Sequence, residues 1–244
     1  MVDTFGLSDV GCIRELNEDC FCIHGFEEDK KGFCVLADGM GGHNAGEVAS
    51  QNAVRFIDDI LSKLLSGEVK EKIPKVLTQA VDKANERVYR MSVESSEHNG
   101  MGTTVVVAYT EDETVYVANV GDSRAYVISD NEIRQLTCDH SVVEELVKSG
   151  TITRDEARVH PQRNIITRAV GTEPTVCTDI FEYEYKSGDI MILCSDGLSS
   201  MLEDKLIYEI VKREETSENT VCKLVEAAKI SGGLDNITVI CIRF

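Results

Sequence analysis

Proline is scarce in this chain, three residues in 244 at positions 74, 161 and 174, and no glycine–serine tract divides it. With no linker to mark a boundary, the economical reading is one domain over residues 1–244, long enough to bury a core without disulfide staples. Basic side chains are scarce too: 25 Lys and Arg stand against 43 Asp and Glu, a formal net charge of −18. That balance excludes a nucleic-acid-binding face, which needs clustered Lys and Arg, and it excludes docking to anionic lipid. No apolar run reaches the ~18 residues of a membrane-spanning helix, so no membrane insertion is expected. Met1-Val2-Asp3-Thr4 opens no basic and apolar leader, so no signal peptide is expected either. The nine cysteines, at 12, 20, 22, 34, 138, 177, 194, 222 and 241, include no Cys-x-x-Cys pair. Neither a zinc site nor a redox couple is signalled by that spacing. Cys34 and Cys241, set among apolar neighbours, read as small hydrophobes, and a reduced, cytoplasmic protein is expected.

What is present is the pattern of a globular chain. The hydrophobic fraction, 42%, is ordinary and too high for a disordered acidic segment. The first forty residues read as strands, with alternation around Cys20–Ile23 and an apolar run over Gly32–Ala37. Apolar positions then recur at three and four from Val48 to Leu65, and again from Val76 to Met91 behind Pro74, which suits a first helical turn. The runs Thr103–Tyr109, Thr114–Asn119, Arg124–Ile128 and Glu132–Leu136 are β-branched and divided by short acidic turns, as antiparallel hairpins require. Asp139 reads as the N-cap of a helix over Val142–Lys148 that stops at Gly150. Residues 151–168, with Arg154, Arg158, Arg163 and Arg168, read as a partly helical excursion. Strands return at Val176–Tyr185 and Ile190–Cys194, helices follow near 203–213 and 217–230, and Asn236–Ile242 closes the chain as a strand. Strand blocks alternating with helix pairs favour α+β: a central antiparallel β-sandwich with helices outside both sheets, rather than a doubly wound parallel sheet.

Three aspartates stand out by position. Asp38 ends the apolar run from Phe33 and precedes Gly39-Met40-Gly41-Gly42; Asp196 follows Ile190–Cys194 and precedes Gly197; Asp235 follows Gly232-Gly233 and precedes the final strand. Glycine beside a carboxylate permits φ > 0 and close backbone approach, so a carbonyl oxygen can join the site. Carboxylates converging at strand ends repel one another unless a cation neutralises them, and an oxygen-liganded divalent ion is the natural partner. Asp-Gly is also a common turn dipeptide, which remains the alternative for each pair alone. A calcium-binding loop, rich in Asp and closed by a bidentate Glu, is not found.

A family resemblance emerges from eight motifs in order. They are Ser8-Asp9-Val10-Gly11-Cys12-Ile13-Arg14-Glu15-Leu16-Asn17-Glu18-Asp19, Ala37-Asp38-Gly39-Met40-Gly41-Gly42-His43, Gly102-Thr103-Thr104, Asn119-Val120-Gly121-Asp122-Ser123-Arg124, Leu136-Thr137-Cys138-Asp139-His140-Ser141, Thr167-Arg168-Ala169-Val170-Gly171, Leu193-Cys194-Ser195-Asp196-Gly197-Leu198 and Gly233-Leu234-Asp235-Asn236-Ile237-Thr238-Val239. Together they resemble the metal-dependent Ser/Thr protein phosphatases of the protein phosphatase 2C type, in their bacterial form, over nearly the whole chain.

The resemblance implies a four-layer α-β-β-α sandwich with a flap-like excursion at about 142–170. It implies hydrolysis of phosphoserine and phosphothreonine in proteins by in-line attack of a metal-bridging hydroxide, with no phosphoenzyme. Two Mn2+ or Mg2+ ions per active site are implied. Asp38 matches the bridging carboxylate, the Gly39 carbonyl adds an oxygen to the second ion, and Asp196 and Asp235 match the other carboxylates of the first. Glu18 and Asp19 match the acidic pair near the second ion, with water as the alternative link for one of them. Asp122, sharing Asp196, matches a third, weakly held ion typical of bacterial members. Arg14 matches the arginine that holds the substrate phosphate through its planar fork, the alternative being a salt bridge to Glu15 or Glu18. Met40 stands where eukaryotic relatives carry a His; His43, three residues on, is either an acid–base group or a setter of the loop. His140, Ser195, Thr103 and Thr104 read as structural neighbours of the site, and the flap arginines either meet phosphopeptides or face water. The implied partners are phosphorylated proteins, among them a cognate Ser/Thr kinase and its substrates, with the enzyme a monomer. A catalytically dead regulatory relative is the competing reading, and the complete set Asp38, Asp196 and Asp235 argues against it.

Overall fold

Each long apolar run serves two cores at once, because successive strand residues face opposite sides. In the computed structural model, which describes residues 2–26, 31–41 and 45–244, one sheet has the order β1 (Asp3–Asp9), β11 (Ile237–Arg243), β10 (Ile190–Cys194), β7 (Arg124–Ser129), β8 (Glu132–Gln135). The other runs β2 (Asp19–Gly25), β3 (Gly32–Met40), β5 (Val105–Glu111), β6 (Thr114–Val120), β9 (Asp179–Glu184), with β4 (Gly102–Thr103) paired to the end of β3. Every pairing is antiparallel.

Phe33, Val35 and Ala37 of β3 join Val105, Val107 and Tyr109 of β5 in a core shared with helices α1 (Ala45–Leu65) and α2 (Ile73–Glu94). The intervening Cys34 and Leu36 meet Val106, Ala108, Met191, Leu193 and Ile240 between the sheets. Ile192, Cys194, Val239 and Cys241 point outward to a third core under α6 (Asp204–Arg213) and α7 (Ser217–Ile230). Three cores separate four layers, the α-β-β-α architecture expected from the sequence. The Asp112-Glu113 and Asp130-Asn131 hairpin turns hold φ of 51°, 62°, 47° and 65°, the paired positive values of the primed turns that match strand twist.

The remaining helices are α3 (Val142–Lys148), α4 (Arg154–Val159) and the single turn α5 (Asp196–Ser199). α4 falls within the stretch read as partly helical; α5 and β4 are too short for a periodic signal and were not anticipated. The strand expected over Val176–Tyr185 narrows to Asp179–Glu184. The cap of α3 also differs from expectation: Ser141, not Asp139, accepts the Glu144 N–H at its hydroxyl. Asp139 instead takes a bidentate pair from Arg124, Nη2 to Oδ2 at 2.7 Å and Nε to Oδ1 at 3.0 Å, a partner on another strand that no local pattern reveals. The two side chains are only 20% and 10% exposed. Removing one member of such a pair strands a buried charge, so Asp139→Ala is expected to cost about 3–5 kcal/mol. Ser141→Ala should cost about 1 kcal/mol. Urea unfolding of the two variants checks the order.

Candidate active site

Register brings the acidic residues together. Asp19 at the start of β2 pairs with Asp38 near the end of β3. Asp122 lies in the link between β6 and β7, Asp196 directly after β10, and Asp235 just before β11. All five therefore sit at one end of the sandwich, contributed from both sheets. There a cleft of roughly 300 Å³ is lined by Arg14, Glu18, Asp38, Gly39, Asp122, Asp196 and Asp235, together with Thr104. Asp19 lies behind that wall: its Oδ2 accepts the Ser195 hydroxyl at 2.9 Å and the Thr238 hydroxyl at 2.6 Å, while its buried Oδ1 has no hydrogen-bond partner. His43 lies outside the described residues.

Crowding of like charge in a buried place raises proton affinity. Burial, followed by the charges of Asp19, Asp196, Asp122 and Asp235, pushes the Asp38 carboxyl well above the usual range. Burial pushes Asp19 up to about 7, with Asp196 and Asp235 adding to it against the two hydroxyl bonds. Asp122 rises to about 8 and Asp196 to about 6, burial again leading, with Arg124 opposing both rises. Glu18 is raised as well, mainly by burial, with the Arg14 charge opposing. The donors are hard oxygens, two of them (Glu18 Oε1 and Asp19 Oδ1) buried and unsatisfied, and this set fits hard divalent cations such as Mg2+ and Mn2+. Arg14 meets neither Glu15 nor Glu18 in an ion pair; its Nη2 donates to Asp235 Oδ2 at 2.8 Å from a position 48% exposed.

Several residues hold this constellation in place. Thr104 accepts the Asp38 N–H on its hydroxyl at 3.0 Å, and the Thr103 hydroxyl donates to the Asp38 carbonyl at 2.9 Å. His140, buried and with its proton affinity lowered by that burial, accepts the Gly121 N–H at 2.9 Å and so fixes the turn that carries Asp122. Ser195 both donates to Asp19 and accepts the Thr238 N–H at 3.0 Å. These four were anticipated as structural neighbours. Asn236 was not singled out: its Oδ1 accepts the Glu18 N–H at 2.8 Å, and its amide nitrogen donates to the carbonyls of Val10 and Leu16 at 3.0 and 2.8 Å. One amide thereby anchors the loop bearing Arg14 and Glu18. Its only sequence signal is an Asn directly after Asp235. Arg124, the buried cation beside Asp122 and Asp196, was likewise missed.

The glycines act by close approach more than by φ. A Cβ at Gly39 would collide with the carbonyls of Gly46 and Glu18, and one at Gly197 with the carbonyl of Asn236, whereas positive φ is needed at Gly232 and Gly233. In the excursion, Arg154 pairs with Glu144 at 3.1 Å and Arg168 with Asp179 at 2.7 Å. Arg158 and Arg163 line a neighbouring cavity of roughly 380 Å³ that shares Asp122 and Asp196 with the cleft.

A buried carboxylate cluster at one end of an α-β-β-α sandwich, with an arginine at its mouth, defines a class: metal-dependent hydrolases acting on phosphate esters. Comparison with known proteins narrows it. The model of the family described as Protein phosphatase 2C matches residues 14–227. A protein of Listeria innocua serovar 6a named serine/threonine phosphatase stp is 39% identical over 237 residues, covering 97% of this chain and 93% of the relative. The solved serine/threonine phosphatase of S. agalactiae superposes with a TM-score of 0.90 at 34% identity, covering 100% of this chain and 99% of that one. The catalytic domain of the serine threonine protein phosphatase PstP, solved in complex with 2 manganese ions, superposes with a TM-score of 0.85 at 32% identity, covering 99% of this chain and 97% of that one. The chain belongs to the protein phosphatase 2C family and is a metal-dependent protein serine/threonine phosphatase. Among the described residues no helix is long and apolar enough to cross a membrane.

The carboxylates predict a pH signature for the metal-free protein. Their folded proton affinities, about 6 to 8, exceed the usual 3.8, so between about pH 4 and pH 8 the folded state holds protons that the unfolded state has released. Stability should fall as pH rises through that window. The thermal midpoint of chelator-treated protein should drop from about pH 5 to pH 8, less steeply in Asp122→Asn, and recover when Mn2+ is added. A midpoint rising with pH across this range contradicts the account.

Proposed function

We propose that this chain removes phosphate from phosphoserine and phosphothreonine in proteins at the Asp38 cleft, with two Mn2+ or Mg2+ ions held there. In this reading Asp38 would be shared by both ions, Asp196 and Asp235 would help hold the first, and the Gly39 carbonyl with Glu18 and Asp19 would help hold the second. Asp122 with Asp196 would hold a third, weaker ion. Such ions, when bound, neutralise the crowded carboxylates, acidify water near neutral pH and offset charge on phosphoryl oxygens. The observation that carries the proposal is the convergence of these carboxylates from both sheets on one cleft with Arg14 at its mouth.

The chain's own groups do the positioning. Arg14, partly exposed, presents a planar fork that suits two phosphoryl oxygens. Binding phosphate draws it from Asp235, so the same guanidinium relieves a carboxylate before substrate arrives and grips the substrate afterwards. Water then attacks phosphorus in line: its oxygen bonds to phosphorus, the phosphorus–oxygen ester bond breaks, and the Ser or Thr oxygen leaves as a hydroxyl. Among the described residues lining the cleft there is no Cys, Ser or His. The one hydroxyl, of Thr104, is engaged with Ser123 at 2.7 Å and with the Asp38 N–H. Direct hydrolysis without a phosphoenzyme is the course that the family resemblance supports, and the nine free cysteines are bystanders to it. His43 is assigned to setting the loop after Asp38. Residues 142–170 act as a flap within a single catalytic domain, and the substrates include a cognate Ser/Thr kinase and its targets in the cytoplasm, met by a monomer.

With a phosphothreonine peptide, turnover should require added Mn2+ or Mg2+ and vanish with chelator; full activity in chelator would overturn the metal reading. Asp38→Ala and Asp235→Ala should lower kcat by at least about a hundredfold, and Arg14→Ala should raise KM as well as lower kcat. His43→Ala should keep most turnover, and a loss as deep as that of Asp38→Ala would reassign it to proton transfer.

A further inference from the structure

Away from the cleft, three side chains of different chemistry meet between the edge strand β2 and helix α1. Cys22 and His24 are two residues apart and so share one strand face, and Asp58 comes from the middle of α1. Their ligating atoms lie within 4.8 Å of one another. The geometry points to a second metal site at Cys22, His24 and Asp58, suited to a borderline-soft divalent ion such as Zn2+ rather than to the hard ions of the cleft.

The nitrogen and oxygen ligands stand close to the spacing a metal would impose. In a tetrahedral zinc site, metal–ligand bonds of about 2.0–2.1 Å to nitrogen and oxygen place those atoms about 3.3 Å apart, and a thiolate at about 2.3 Å lies slightly further off. His24 Nε2 and Asp58 Oδ1 already stand 3.1 Å apart. The Cys22 sulfur lies within 4.8 Å of both. Two of the groups are held from behind: the His24 ring packs on Phe33 at 5.1 Å, and Asp58 Oδ1 accepts the Ser62 hydroxyl at 3.0 Å. Such outer partners are what orient metal ligands. His24 is 45% and Asp58 32% exposed, which leaves solvent access for a water as fourth ligand. A sulfur, nitrogen and oxygen set also separates this site from the all-oxygen cleft in metal preference.

Burial, then the Asp58 charge, pushes the Cys22 thiol up to about 12, so in the metal-free protein it is protonated. Binding therefore breaks the S–H bond, sends the proton to solvent and forms a sulfur–metal bond. Occupied, the site would tie β2, which opens with Asp19, to α1, the helix that follows β3 and its Asp38 in the chain.

The test adds Co2+ to the purified protein in excess Mg2+, which fills hard oxygen sites. Wild type should show a near-ultraviolet thiolate-to-cobalt charge-transfer band, saturating at one equivalent and abolished by Zn2+. Cys22→Ser should lose the band, and Asp58→Asn, at a partly exposed position of α1, should keep it with cobalt affinity weakened by more than about tenfold. Both variants should retain the wild-type far-ultraviolet dichroism and Mn2+-dependent phosphatase activity. Absence of the band in wild type, or an unchanged band in Cys22→Ser, overturns the proposal.

Discussion

Repulsion among buried carboxylates is the constraint around which this molecule is arranged. Asp19, Asp38, Asp122 and Asp196 are withdrawn from water close enough for each to raise another's proton affinity. Left to itself, such a group of charges would push the ends of the two sheets apart. The three apolar cores hold the sandwich along its length, so the cost of the cluster is borne by the body of the fold and concentrated at one end. Divalent ions and a phosphate ester answer the same need from opposite sides: the ions supply the missing positive charge, and the ester is attracted once they have done so. The overall −18 has little bearing on this, because most acidic side chains lie on the surface in water.

Neutral and hydrogen-bonded groups do the holding. Thr103 and Thr104 fix the Asp38 backbone, His140 fixes the turn before Asp122, and Asn236 ties the Arg14 loop to the start of β11. None of these adds net charge to the cluster. A charged group in the same positions would change the balance that the carboxylates set, whereas an amide or hydroxyl fixes geometry and leaves the field alone.

Asp38, Asp196 and Asp235 were legible because each borders an apolar run and a glycine, a juxtaposition visible in a few consecutive residues. The four layers were legible because runs such as Phe33–Ala37 are apolar at every position, which an antiparallel strand tolerates only when both its faces are covered. What escaped is non-local. Asn236 works through carbonyls more than two hundred residues earlier in the chain. Asp139 looked like a cap because Ser141 and Asp139 are equally suited to the role, and only the placement of Arg124 on a neighbouring strand decides between them. Gly39 and Gly197 border the aspartates for a reason that no local pattern contains: the backbone of Gly46 and Asn236 presses against them. Cys22, His24 and Asp58 come together only when a helix more than thirty residues on is laid across the strand.

The two primed hairpin turns lie at the far end of their strands from the carboxylate cleft. β5 and β7 each leave the cleft end and run six or seven residues before turning at Asp112-Glu113 and Asp130-Asn131, a span of about 20 Å. The molecule thus has a catalytic pole and an opposite one. Sequence added at these two turns, an epitope, a fluorophore site or an entire inserted domain, would lengthen a surface loop at small entropic cost and leave the charged end undisturbed.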